Sequence, residues 1–175
     1  MIKSFLYSVF ITFIFISSFC GSIAEAKPQF SSRYFDTTTD CTCIEKDLQE
    51  GEDCTRFSCK EMAGYKIQVA YNGAACDLGK LKIIKNSKEL VSLDEVPAKL
   101  EWRFADSQAF AVIYRIKGQS KTCLEQGVST KTKEKLYIIG LEQYSSILGQ
   151  IEVHTPNANV KSREIADQGF LSKLK

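Results

Sequence analysis

With 175 residues and 23 basic against 21 acidic side chains, the chain has room for one ordinary domain and a net charge of only +2. That balance is too near neutral to point to nucleic acid, or to electrostatic attachment to a membrane. No internal repeat or low-complexity stretch is present.

The first 26 residues read as an export signal. Lys3 gives a positive head, Phe5 to Phe19 is uncharged and apolar, and Ala24-Glu25-Ala26 is a small-x-small cleavage site. The apolar run of 15 residues falls short of the roughly 20 needed to span a bilayer. Cys20 offers a lipoprotein alternative, but the bulky Phe19 before it disfavours acylation there. The mature chain is expected to start at Lys27 and to work in an oxidising compartment, secreted or periplasmic. Cleavage removes Lys3 and Glu25 and leaves 149 residues, again with two more basic than acidic groups.

Residues 27–40, polar and hydroxyl-rich, read as a flexible lead-in, and 41–175 as a single disulfide-stabilised domain. Cys43–Glu45 and Thr55–Cys59 flank the turn signal Glu50-Gly51-Glu52-Asp53, which predicts a hairpin. Tyr65–Tyr71 alternates cleanly, with Tyr, Ile, Val and Tyr on one face, and Asn72-Gly73 ends it. Leu81-Lys82-Ile83 alternates likewise. Leu100-Glu101-Trp102-Arg103-Phe104 places three large apolar groups on one face and Arg103 in water. After a turn at Asp106-Ser107, Phe110–Ile116 is apolar almost throughout, as suits a central strand buried on both faces. Leu136–Leu141 and Ile151–Val153 complete the strands, and the first of these is a candidate edge for pairing with a partner.

Near the end, Ala158, Ser162, Ile165, Ala166 and Phe170 fall on one helical stripe, with Lys161, Arg163, Glu164 and Asp167 on other faces. Asn157 is placed to cap that helix and Gly169 to end it. The predicted class is α+β: a mainly antiparallel β-sheet with a C-terminal helix packed on it.

Six cysteines remain after cleavage: Cys41, Cys43, Cys54, Cys59, Cys76 and Cys123. An even count in an exported chain predicts disulfides. A metal site of Cys41, Cys43, Cys54 and Cys59 is the rival, but C-x-C…C-x4-C lacks the paired C-x2-C of common zinc modules. No metal or cofactor is therefore expected. A symmetric hairpin over 43–59 sets Cys43 opposite Cys59. That leaves Cys54 for Cys76, which returns towards the hairpin tip, and Cys41 for Cys123.

CTCIEKDLQEGEDCTRFSCKEMAGYKIQV, LEWRF with AFAVIYRI, and PNANVKSREIAD with its GF resemble a family of small exported proteins of Gram-negative bacteria, mostly described as hypothetical. The likeness runs from Cys41 to Phe170, and the terminal motif is its most specific part. It implies export, this fold and a Cys43–Cys59 bridge. A late cysteine pair of that family is replaced here around Gln150 and Leu171-Ser172, as the loss of one disulfide would leave. The family brings no established activity with it.

Chemistry is sparse. His154 is the one histidine, no G-x-S-x-G elbow exists, and the cysteines are committed to bridges. Glu101 and Asp106 lie in an ordinary charged strand and turn, not in a glycosidase pair. Trp102 with Arg103 would make a binding anchor if exposed, since such residues dominate interface hot spots. The chain is thus expected to be no enzyme but a secreted effector or inhibitor binding a protein, such as a host's. It should neither bind nucleic acid nor stay anchored in a membrane. The alternatives are a periplasmic envelope housekeeping protein and a hydrolase centred on His154.

Overall fold

Strand after strand in this chain separates its large apolar side chains onto one face, and those faces meet. A computed structural model describes residues 27–46, 54–71, 79–116 and 134–174. The chain is α+β, with two five-stranded antiparallel sheets and a C-terminal helix. The strands are β1 (Phe30–Asp36), β2 (Cys41–Lys46), β3 (Cys54–Cys59), β4 (Lys66–Ala70), β5 (Lys80–Lys85), β6 (Lys88–Leu93), β7 (Lys99–Ala105), β8 (Gln108–Ile116), β9 (Lys135–Gly140) and β10 (Leu148–Glu152). The helix is α1 (Ala158–Ser172).

The first sheet has the order β1-β7-β8-β9-β10 and the second β2-β3-β4-β5-β6. Ile67 and Val69, Leu81 and Ile83, and Val91 and Leu93 point inward from the second sheet. They meet Phe35, Leu100, Trp102, Phe104, Val112 and Tyr114 of the first. β8 is the middle strand of its sheet and is buried on both faces, as its apolar run predicts. A second cluster lies on its far face, where α1 covers Phe110, Ile113, Leu136 and Ile138.

Four expectations are corrected. Residues 30–36 are not a flexible lead-in but an edge strand, β1, paired with β7 over seven residues. Its apolar residues are too far apart to show periodicity, yet Phe30 packs edge-on against Phe110 and Phe170. The bridges are Cys41–Cys59 and Cys43–Cys54, not Cys43–Cys59. Cys41 stands directly opposite Cys59, two residues off the register assumed from the sequence, and a bulge after Cys43 then brings it towards Cys54. Pairings of Cys54 with Cys76 and of Cys41 with Cys123 fall with this; Cys76 and Cys123 lie outside the described residues. Leu136–Leu141 is no edge, because β9 lies between β8 and β10. Finally, Asn157 sits in the left-handed region without a side-chain cap, and Gly169 lies inside α1. Gly169 is needed for approach instead: a Cβ there would fall 2.7 Å from Ile147 Cγ1.

The signal residues 1–26 and the turns at Glu50–Asp53 and Asn72-Gly73 also lie outside the described residues. No helix among the described residues is long and apolar enough to cross a membrane. Two disulfides suit an extracellular or periplasmic location.

Candidate functional site

Strand period and helix period coincide where α1 crosses β7. Residues two apart on a strand share a face about 7 Å apart, and residues four apart on a helix stack about 6 Å apart. Glu101 and Arg103 are two apart, on the face opposite Leu100, Trp102 and Phe104. Arg163 and Asp167 are four apart. The signs are reversed between the elements, so each charge meets its opposite.

Arg103 donates to Asp167 through Nη2 at 2.6 and 2.8 Å and through Nε at 3.1 Å. Arg163 Nε donates to Glu101 Oε1 at 2.6 Å. β1 supplies the bridge between the pairs: Ser32 stands beside Arg103 and Tyr34 beside Glu101 in the strand register. Ser32 Oγ accepts from Arg103 Nη1 at 2.7 Å and donates to Glu101 Oε1 at 2.5 Å. Arg163 Nη2 donates to the Tyr34 hydroxyl at 2.9 Å. Both strand charges are buried, Ser32, Arg163 and Asp167 are partly exposed, and Tyr34 is the most open member at 57%.

Glu101-Trp102-Arg103 and Arg163-Glu164-Ile165-Ala166-Asp167 are therefore the two halves of one contact. Trp102 and Arg103 would anchor a partner only if exposed, and neither is. Trp102 is 0% exposed in the inter-sheet core, tilted against Tyr65. Arg103, expected in water, is 6% exposed and neutralised by Asp167. The exposed pair is the neighbouring Tyr34–Arg163. Tyr34 escaped notice because its strand read as a lead-in, and Arg163 and Asp167 because they fall off the apolar stripe. The available signal was the matched spacing, Glu-x-Arg on a strand and Arg-x3-Asp on a helix.

A second polar cluster ties the sheets together. The Tyr65 hydroxyl donates to Glu142 at 3.0 Å, and Lys85 Nζ lies 2.5 Å from Glu142 and 4.5 Å from the centre of the Tyr65 ring. Lys85 chiefly, with Tyr65 behind it, holds the Glu142 carboxyl below the usual range against partial burial. Burial, and then Glu142 itself, pushes the Tyr65 hydroxyl up. Glu142 has a φ of 49°, a left-handed conformation that these contacts stabilise. Beside it lies a cleft of about 620 Å³ lined by Lys85, Lys88, Glu89 and Ser145 among others.

The remaining candidates are separate. His154 is exposed between β10 and α1. Glu101 is held by Arg163, while Asp106, in the β7–β8 turn, accepts from the Gln29 backbone amide just before β1. Cys41, Cys43, Cys54 and Cys59 are all in disulfides, and among the described residues no acidic, histidine or cysteine cluster is placed to hold a metal. No family model matches this chain, and no curated protein or solved structure matches it.

Proposed function

We propose that the chain is an exported, non-catalytic protein that acts by binding another protein, as an effector or inhibitor directed at a host would. The observation that supports this most is Tyr34 with Arg163. Tyr and Arg are the side chains that dominate interface hot spots, and these two are held in place from beneath by Glu101, Ser32 and Arg103. A side chain fixed before binding loses less rotamer freedom on contact. A periplasmic envelope role is the second reading, favoured by the resemblance to exported proteins of Gram-negative bacteria.

Fractionation of producing cells separates the two. The effector reading expects the processed chain in the medium or host tissue, and confinement to the periplasm would sink it. A partner then captured should bind the Tyr34→Ala variant roughly 30-fold more weakly. This variant leaves the Glu101–Arg163 pair intact, so unchanged affinity would remove Tyr34 from the binding face.

A further inference from the structure

We propose that the Tyr34–Arg163 pair receives a carboxylate, the side chain of an aspartate or glutamate on the bound protein. This deepens the partner reading above and rests on it, since it names the chemistry that the same pair accepts.

The hydrogens of the pair decide the matter. A guanidinium carries five N–H donors and no acceptor. Arg163 Nε donates to Glu101 Oε1 at 2.6 Å, and Nη2 donates to Glu101 Oε2 at 3.3 Å and to the Tyr34 hydroxyl at 2.9 Å. Glu101 thus takes the edge of the fork towards β7, and Tyr34 takes the next hydrogen round. Both Nη1 hydrogens are left without a partner among the described residues. Arginine only donates, so the Tyr34 oxygen is the acceptor in their bond, and its own hydrogen points elsewhere. Side by side, the exposed hydroxyl and the partly exposed guanidinium therefore offer three hydrogens, while their one accepting oxygen is already in use.

Water can serve those hydrogens in the free chain. A bound protein that displaces the water must bring acceptors, because a donor buried without one is costly. A carboxylate meets the demand best. It is acceptor-only, its two oxygens hold about four lone-pair sites, and its bonds to a charged donor are roughly twice as strong as neutral ones. A hydroxyl or an amide brings hydrogens of its own, and a main-chain carbonyl has one oxygen for two separate donors.

The charges around the pair leave that place to the partner. Glu101 is held by Arg163 and by Ser32, and Asp167 by Arg103. Asp36, two residues on along β1, accepts from Thr38 and pairs with Lys99 at 3.6 Å. Arg163 cannot swing out to meet a different group without stranding the buried Glu101. The donors are therefore set before the partner arrives.

The test uses the exported, oxidised chain and short peptides. A random peptide library displayed on phage is panned against the wild type. The binders are then synthesised and measured by fluorescence anisotropy on wild type, Tyr34→Phe and Tyr34→Ala. Neither variant touches the Glu101–Arg163 pair, so both should keep the wild-type circular dichroism. Binders should carry Asp or Glu. Exchanging that residue for its amide should weaken binding to the wild type about tenfold, and distinctly less on Tyr34→Phe, which itself should bind the acidic peptide about tenfold more weakly. Peptides lost on Tyr34→Ala but held equally by Tyr34→Phe, or held equally as acid and amide, overturn the carboxylate and leave the binding face standing. Peptides that bind all three chains alike, or a library that yields no binder, remove the binding face and the carboxylate with it.

Discussion

The two interfaces of the first sheet are held by different physics. Its inner face meets the second sheet through large apolar side chains, six of them from β1, β7 and β8 alone, with Tyr65–Trp102 at the centre. Its outer face meets α1, whose buried stripe is Ala158, Ser162, Ala166 and Phe170. Three of those four are small and remove little apolar area from water. Phe170 supplies the apolar weight, stacked with Tyr144 and near Phe110. The two ion pairs supply position. Area is non-directional and tolerates small shifts, whereas paired charges allow one placement: a slide of α1 by one turn leaves Arg103 facing Arg163 or buried alone. Buried ion pairs contribute little net stability over apolar replacements, but breaking one strands a charge.

Breaking the area-held interface should have the largest effect. Trp102→Ala should cost about 3–5 kcal/mol in denaturant unfolding. Trp102→Phe should cost clearly less, because the Trp102 indole N–H is buried without a hydrogen-bond partner among the described residues, and phenylalanine removes that orphan. Equal losses for the two would refute this account of the core.

The position-held interface should behave otherwise. Arg103→Ala should cost about 3–5 kcal/mol through the stranded Asp167, while the double change Arg103→Met with Asp167→Leu should cost far less. Additive losses in that double-mutant cycle would mean that the pair acts through packing instead.

Both disulfides lie within the β2–β3 hairpin, and Cys41–Cys59 packs against the rim of the inter-sheet core. Replacing Cys41 and Cys59 together by Ser should cost about 3 kcal/mol. Non-reducing peptide mapping should link Cys41 to Cys59 and Cys43 to Cys54; a Cys43–Cys59 peptide would restore the symmetric hairpin.

The smallest effect should come from the polar tie between the sheets. The Glu142 carboxyl is depressed in the folded chain, so its contribution is present above the unfolded carboxylate pKa of about 4.3 and is lost as pH falls through the lower folded value. Melting temperatures of wild type and Glu142→Gln should therefore differ near neutral pH and converge in acid. A gap that persists in acid would break the linkage. Tyr65→Phe should remove about 1 kcal/mol by losing one hydrogen bond to the same carboxylate.

What was legible in the sequence follows the same division. Period-two patterns feed the inter-sheet core, so β4 and β7 could be read directly, and β8 from its continuous apolar run. The helix stripe was readable at Ala158, Ser162, Ala166 and Phe170, although Ile165 turns outward. β1 was not readable, because Phe30 and Phe35 are separated by polar residues and its strand character comes from seven pairings with a distant strand. The disulfide register was missed because a bulge has no reliable mark in the sequence. The charged network was missed because each of its members, taken alone, is an ordinary surface residue.

β1 also sets the order in which the molecule can be completed. The second sheet is a run of consecutive antiparallel neighbours, β2 to β6, and can assemble as the chain emerges amino end first. β1 emerges before all of it, yet its partner β7 begins 63 residues after β1 ends, at Lys99, opposite Asp36. Phe30 must wait longer still, for Phe110 and finally Phe170 in the last helix. The first strand out is thus the last to be locked in place. Without α1, Glu101 and Arg103 lose Arg163 and Asp167, so the first sheet's outer face is completed only by the last element of the chain.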